Sequence, residues 1–211
     1  MKLDKPRIGE GLEQRPFEDI FLEEDPELTY CIVCNAEFTS DVLHRARFSN
    51  MVMRNCSFIG SELEGIDVVD VRFENCDFSN TTMRKASIHR AEFINCKLLG
   101  ADITEASLGN VQFEECNMNM SMFGNGKLER VYLTNTSLKS ADFFAIKHKF
   151  LVFDQCKIND CNFQDVKLKG IDISTSEFDE LTVTIELLKG CIVSNYQAIY
   201  FAQLLGLLIK D

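Results

Sequence analysis

Carboxylates, cysteines and histidines are the residues of this chain whose types and spacing could carry chemistry. Two neighbouring carboxylate pairs, Glu62/Glu64 and Glu114/Glu115, could do acid–base work if a pocket moved their pKa values apart; on an open surface they remain fixed negative charges. Cys31-Ile32-Val33-Cys34 has the spacing of a metal-chelating or disulfide-exchanging pair, but no second Cys/His pair at matching spacing joins it. His44, His89 and His148 lack a spaced set of metal ligands and an obvious nucleophile. There is no GxGxxG, P-loop, HExxH or nucleophile elbow. The sequence therefore points away from an enzyme, implies neither cofactor nor metal, and leaves displayed charge as the chemistry to explain.

What positions those charges is a repeat. From Phe38 to Val193 an apolar residue recurs at every fifth position, and His148 is the one polar residue in the register. A period of five matches neither the 3.6 of a helix nor the 2 of a strand, so the chain must turn by a fixed amount every five residues and rise as it winds. Two positions before each central residue lies a smaller inward class that includes Ala46, Cys56, Ser61 and Cys76. Cys56, Cys76, Cys96, Cys116 and Cys156 recur on steps of twenty, and Asn55, Asn75, Asn95 and Asn135 precede the matching positions. Twenty residues are four pentapeptides, so each coil has four sides and like stacks on like. At ~4.8 Å between ladder strands the repeat makes about eight coils, a rod of roughly 40 Å whose stability sums over neighbouring coils.

The expected organisation is an acidic N-terminal arm over residues 1–26, a β-helix over 27–195 and a C-terminal cap over 196–211. Pro6, Pro16 and Pro26 punctuate the arm, and Glu18, Asp19, Glu23, Glu24 and Asp25 surround Phe17, Ile20, Phe21 and Leu22. It reads as partly pinned by those apolar residues and otherwise solvated. Pro26–Asn35 reads as an imperfect first turn that caps the rod. Phe144–Leu151 is the weakest stretch, and a local bulge into a loop is favoured there over a buried imidazole. From Asn195 the register gives way to an amphipathic helix, then Gly206 and a short apolar strand, Leu207–Ile209. In that segment Ile199 and Tyr200 are expected to cover the last coil, leaving Phe201, Leu204, Leu205 and Leu208 as a surplus apolar patch for a two-fold homodimer. Nine cysteines, five in an inward ladder, suit a reducing compartment. With no apolar run near ~18 residues and no apolar leader stretch, a cytoplasmic protein without membrane contact is expected.

The formal net charge is −11, and its distribution is uneven. Sorted by side over residues 36–195, the side centred on Phe58 carries −3, that on Leu63 −4, that on Val68 +5 and that on Phe73 −4. Three contiguous sides are thus acidic, while Arg47, Arg90, Lys127, Arg130, Lys147, Lys149, Lys167 and Lys169 collect on the fourth. Protein affinity for nucleic acid comes largely from phosphate neutralisation, so direct nucleic-acid binding is not expected. An acidic rod should instead attract a surface built to hold DNA. Glu62, Glu64, Glu92, Asp102, Glu105, Glu114, Glu115, Asp142 and Asp154 are outward by register and are the candidate partner-binding residues. Solvated flanks of a soluble solenoid explain the same charges equally well.

Segments such as CDFSN, ADITE and CNFQD resemble the pentapeptide-repeat family, A(D/N)LXX, over about three quarters of the chain. That resemblance implies a right-handed quadrilateral parallel β-helix, here with a short helical cap. The ending SNYQAIYFAQLLGLLIKD and the Tyr132-Leu-Thr-Asn-Thr-Ser-Leu and Lys139-Ser-Ala-Asp-Phe stretches look like the Qnr quinolone-resistance proteins, relatives of MfpA. The likeness implies a dimeric DNA mimic that binds DNA gyrase or topoisomerase IV and protects them from fluoroquinolones. It departs from the Gram-negative members in lacking evident loops and in its longer N-terminal arm. An immunity factor against a natural gyrase toxin and a general interaction scaffold are the alternative readings.

Overall fold

The computed structural model describes residues 3–22 and 24–210. Glu23, counted above in the acidic arm, lies outside the described residues.

From Tyr30 to Gly170 every fifth residue has a positive φ, and these are the corners. Each corner lets the chain change direction while the residues between stay extended. Short polar side chains tolerate the left-handed region best, which is why Asn and Asp fill many corners. At one corner the amides also stack: Asn95 donates to Asn75 at 2.8 Å, Asn75 to Asn55 and Asn55 to Asn35 at 3.3 Å.

The coils pair in parallel, twenty residues apart. Strands β1 (Glu13–Gln14), β2 (Glu27–Thr29), β3 (Cys31–Cys34), β4 (Arg47–Arg54), β5 (Asp67–Glu74), β6 (Ser87–Ile94), β7 (Ser107–Glu114), β8 (Lys127–Thr134) and β9 (Lys147–Asp154) form one nine-stranded sheet. Each of β4 to β9 spans two sides of the coil and bends at its corner residue, Asp70 in β5 for example. The other two sides contribute single bridges such as Ser57↔Asp77 and Glu62↔Thr82, and β10 (Cys161–Phe163) pairs with β11 (Leu181–Val183). The result is a right-handed quadrilateral parallel β-helix of about eight turns.

The core repeats with the coil. Phe58 stacks on Phe78 with centroids 5.0 Å apart, Phe73 on Phe93 at 4.7 Å, Phe93 on Phe113 at 4.8 Å and Phe123 on Phe143 at 4.8 Å. These separations match the strand spacing, so ring contact comes free of any backbone distortion. The smaller inward position must fit beneath a carbonyl of the preceding coil: Ser61 donates to Phe38 O and Thr81 to Phe58 O, both at 2.6 Å, and the cysteine thiols point at the equivalent oxygens. Burial pushes the Cys161 thiol up to about 12 and Cys156 to about 11, so these thiols are unreactive at neutral pH.

Phe17 and Ile20, on a 3₁₀ turn (Phe17–Phe21), are buried, and the Phe17 ring meets Phe38, Phe48 and Phe58 at 5.3, 6.3 and 5.5 Å. They close the rod. Pro26–Asn35 is, as expected, a first turn, and it supplies two sides of a coil, since β2 and β3 both pair with β4. The rest of the arm, expected to be solvated, instead runs up the rod as a strap. Arg7 N donates to Asp70 Oδ1 at 2.9 Å, Lys5 Nζ lies 3.2 Å from Glu92 Oε1, and Asp4 N donates to Asn110 Oδ1 at 3.2 Å.

No loop interrupts Phe144–Leu151. β9 pairs with β8 in full register, Leu128 opposite His148, and Ala145 and Phe150 are ordinary corners with positive φ. The expected bulge is replaced by a half-buried His148 whose Nε2 donates to Lys167 O at 2.6 Å. The disturbance falls one coil later: among the described residues no strand pairs with the far edge of β9. There side chains substitute for backbone, with Gln155 N donating to Thr175 Oγ1 and Cys156 N to Ser176 Oγ, both at 3.1 Å.

The C-terminal cap is α1 (Asn195–Leu204), started by a capping box between Ser194 and Gln197. Gln197 Nε2 donates to Ile173 O and Ser176 O, both at 2.8 Å, and the Tyr200 hydroxyl exchanges 2.9 Å hydrogen bonds with Leu181 N and O. Phe201, only 9% exposed, covers the coil with Tyr200, while Ile199 faces outward; the expected roles of Ile199 and Phe201 are exchanged. Leu207–Ile209 has no strand pairing.

Candidate functional site

Four sides per coil place Glu62, Glu64, Asp102, Glu105 and Asp142 on one side of the rod and Glu92, Glu114, Glu115 and Asp154 on the opposite one. The two groups cannot meet one flat partner surface together.

Local partners then decide how much charge each acid displays. Arg84 Nη2 lies 3.3 Å from Glu105, with its other amino group 3.9 Å from Asp102. Lys85, 3.0 Å from Glu64, holds that carboxyl below its ordinary range by a direct hydrogen bond. Glu92 departs most from expectation. It points outward by register yet is 3% exposed, held between Arg72 at 2.8 Å and Lys5 of the strap at 3.2 Å. It is a strap anchor and displays no charge.

Among the described residues Glu62, Glu114, Glu115, Asp142 and Asp154 have no cationic partner within 4.0 Å. Asp142 Oδ1 accepts from Phe144 N at 3.0 Å and Asn162 Nδ2 at 2.8 Å, and Gln112 Nε2 donates to Glu114 Oε2 at 3.0 Å. These bonds orient the carboxylates and leave the charge unneutralised.

Sequence reasoning did not single out a further group near the C-terminal end of the third acidic side. Asp160, Asp179 and Glu180 converge where Asp160 N donates to Glu180 O at 2.9 Å. Contact with the Asp160 carboxyl raises the pKa of Glu180. Asp179 and Glu180 are neighbours in sequence, and Asp160 lies one twenty-residue step before Glu180, so the stacking register itself brings the three together.

The CxxC is not a site. On β3 successive side chains alternate, so Cys31 points into the core while Cys34 does not, and burial raises the Cys31 thiol. No group of three or more His, Cys, Asp or Glu that could hold a metal occurs among the described residues. No helix among them is long and apolar enough to cross a membrane.

At the C-terminus, Tyr196 is 87% and Leu208 100% exposed, and Ile199, Leu204, Leu205 and Leu207 are also open to solvent. Of the six residues expected at a dimer interface, Ile199, Leu204, Leu205 and Leu208 are exposed, Tyr200 is a hydrogen-bonded clamp and Phe201 is buried.

A quadrilateral β-solenoid with one aromatic or aliphatic residue and one corner per five residues defines a class of repeat protein. Residues 66–143 match the family described as Pentapeptide repeat region, and residues 36–75 match Pentapeptide repeats (8 copies). Together these cover just over half of the chain, which belongs to the pentapeptide-repeat family. The chain is also similar to solved structures. A pentapeptide repeat protein from the Arabidopsis thaliana thylakoid lumen is 25% identical over 43% of this chain and 63% of that one, with a TM-score of 0.42. Full-length QnrB1, a plasmid-mediated fluoroquinolone resistance protein, is 18% identical over 83% of this chain and 100% of that one, with a TM-score of 0.45. HetL, involved in heterocyst differentiation regulation in the cyanobacterium Nostoc, is 15% identical over 84% and 91%, with a TM-score of 0.49. A search of curated proteins gives no significant match.

Proposed function

We propose that this rod is a non-enzymatic DNA mimic that binds DNA gyrase or topoisomerase IV and protects them from fluoroquinolones. The observation that carries the reading is the set of carboxylates that, among the described residues, have no cationic partner: Glu62 and Asp142 on one side and Glu114, Glu115 and Asp154 on the other. Carboxylates on opposite sides of a stiff rod present negative charge as the two backbones of a duplex do, and a protein channel lined with bases accepts either. The Qnr-like C-terminal sequence supplies the choice of enzyme. The exposed apolar face of α1 and the residues after it supports a two-fold homodimer, which doubles the length of the charged surface.

The test is a supercoiling assay with purified gyrase, ciprofloxacin and increasing amounts of this protein. Supercoiling is expected to return as protein is added. Glu114→Lys/Glu115→Lys should raise the half-protective concentration about tenfold. Asp102→Lys/Glu105→Lys should act more weakly, because Arg84 already offsets those acids. Failure of any concentration to restore supercoiling, with no gyrase complex on a sizing column, removes the topoisomerase reading and leaves a scaffold for another partner.

A further inference from the structure

The side centred on Val68 is not uniformly basic. Its first four coils carry no net charge, because Arg47 and Arg90 are balanced by Asp67 and Asp70. The whole excess of +5 lies in the last four coils. There Lys127, Lys147, Lys149, Lys167, Lys169 and Lys189 are exposed, and the ion pairs on this stretch are those of Glu129 with Arg130 and with Lys149, the latter at 3.9 Å.

Two further features coincide with this patch. The far edge of β9 is unpaired, so the coil holding Lys147–Phe150 and the next one, holding Lys167–Gly170, part enough to leave a cleft of about 230 Å³ between His148, Lys149, Phe150, Lys169 and Gly170. At its lip stands Phe150, 46% exposed at a corner with φ +59°. A bulky aromatic there costs strain and exposes apolar area, and nothing in the packing of the rod requires it. The Lys149 ammonium lies 6.0 Å from the centre of its ring.

We infer that this cleft and its lysines form a binding site for single-stranded nucleic acid. Phe150 offers a face on which one base stacks, and the open edge of β9 offers backbone donors and acceptors beside it. Lysines on both lips of the cleft meet the flanking phosphates. An aromatic platform among cations is the arrangement by which single strands are held. Lysine suits phosphate as a point charge, whereas a carboxylate partner would favour the bidentate fork of arginine. The whole-chain charge of −11 argues against nucleic acid only if it is averaged over the surface; this face is a fourth side, distinct from the three acidic ones. The inference does not depend on the topoisomerase reading.

The experiment is fluorescence anisotropy of the intact protein with a labelled oligothymidylate of about fifteen nucleotides, beside a duplex of the same length, at low salt. The single strand is expected to bind with a salt slope of about −2 to −3, corresponding to three or four phosphates. Lys149→Glu/Lys169→Glu should weaken binding at least tenfold. Phe150→Gly should weaken it about fivefold or more while raising the melting temperature, since glycine relieves the corner. That variant separates loss of binding from loss of fold. Lys139→Glu/Lys157→Glu, an equal charge change on an acidic side, should leave binding unchanged. Absence of binding, duplex binding as tight as the single strand, or insensitivity to the Phe150 and Lys149/Lys169 variants would each overturn the assignment.

Discussion

The rod is closed at both ends by aromatic residues, but the closures are built differently. At the N-terminal end Phe17 and Ile20 come from a five-residue turn, enter the core and disappear from solvent. The strap then ties this turn to three later coils through Asp70, Glu92 and Asn110. At the C-terminal end a ten-residue helix lies across the last coil and holds it by side-chain to backbone hydrogen bonds from Gln197 and Tyr200, leaving much of its apolar surface outside. One end is finished by burial and the other by hydrogen bonds, with apolar area to spare. In a solenoid, where each coil touches only its neighbours, such a difference predicts that the two ends resist unfolding unequally.

The largest effect should come from breaking the buried plug. Phe17→Ala removes the ring that meets Phe38, Phe48 and Phe58; a cavity of that kind costs about 3–5 kcal/mol. Urea unfolding should show the loss, and hydrogen exchange should place it in β2 to β4. A variant within about 0.5 kcal/mol of the parent would mean that Phe17 does not seal the rod.

The strap gives the next effect and a pH signature. Burial by itself would raise the Asp70 carboxyl, but the Arg90 guanidinium, at 2.6 and 2.7 Å, and the Arg7 amide hold it below its ordinary value. A carboxyl whose pKa falls on folding stabilises the fold above its unfolded value near 3.9, and that contribution is lost as pH drops through the lower folded value. Asp70→Asn should therefore cost about 2–3 kcal/mol at pH 7, and the gap between variant and parent should close below about pH 4. A gap that does not shrink at all as the pH drops below 4 would separate the strap from the Asp70 charge.

At the other end, Tyr200→Phe removes both hydrogen bonds to Leu181 while keeping the ring against Phe178 and Phe201. The expected cost is about 1–2 kcal/mol. Exchange protection should fall in β10 and β11 and stay unchanged in β4 to β6. Uniform loss along the rod would show that the ends are coupled after all.

The same contrast sets what could be read from the sequence. Inside the rod the pentad is a strict geometric rule, one corner and one buried residue per five, so side, register and coil number follow from counting. Phe58, Cys56 and Asn55 take the places their spacing dictates. At the ends and the seam the rule stops, and contacts depend on which segment folds back. Phe17 and Ile20 share a polar stretch with five acids, so their burial carries no periodic signal. Glu92 obeys the outward register and is still covered, because the strap that reaches it lies far away in sequence. On α1, Ile199 and Phe201 are equally apolar, and only the tilt of the helix on the coil decides which one is buried. His148 marked a real disturbance, displaced by one coil. Among the described residues the imidazole stays in register on its own turn, with Nε2 bonded to Lys167 O and Nδ1 buried without a partner, and it is the next coil that makes no strand pairing with β9.

The smallest effect on the fold should come from the surface that the C-terminal closure leaves bare. Leu205 and Leu208 are exposed, so Leu205→Asp/Leu208→Asp should change the stability of one chain by less than about 0.5 kcal/mol. If the bare face meets a second copy, the same change should halve the mass measured by light scattering at micromolar concentration, because two buried carboxylates without partners oppose the interface. The N-terminal end offers a control, since Phe21 and Leu22 are also exposed but lie on the end already sealed by Phe17. Phe21→Asp should leave the mass unaltered. Loss of the dimer with Phe21→Asp and its survival in the leucine variant would reverse the assignment of the two ends.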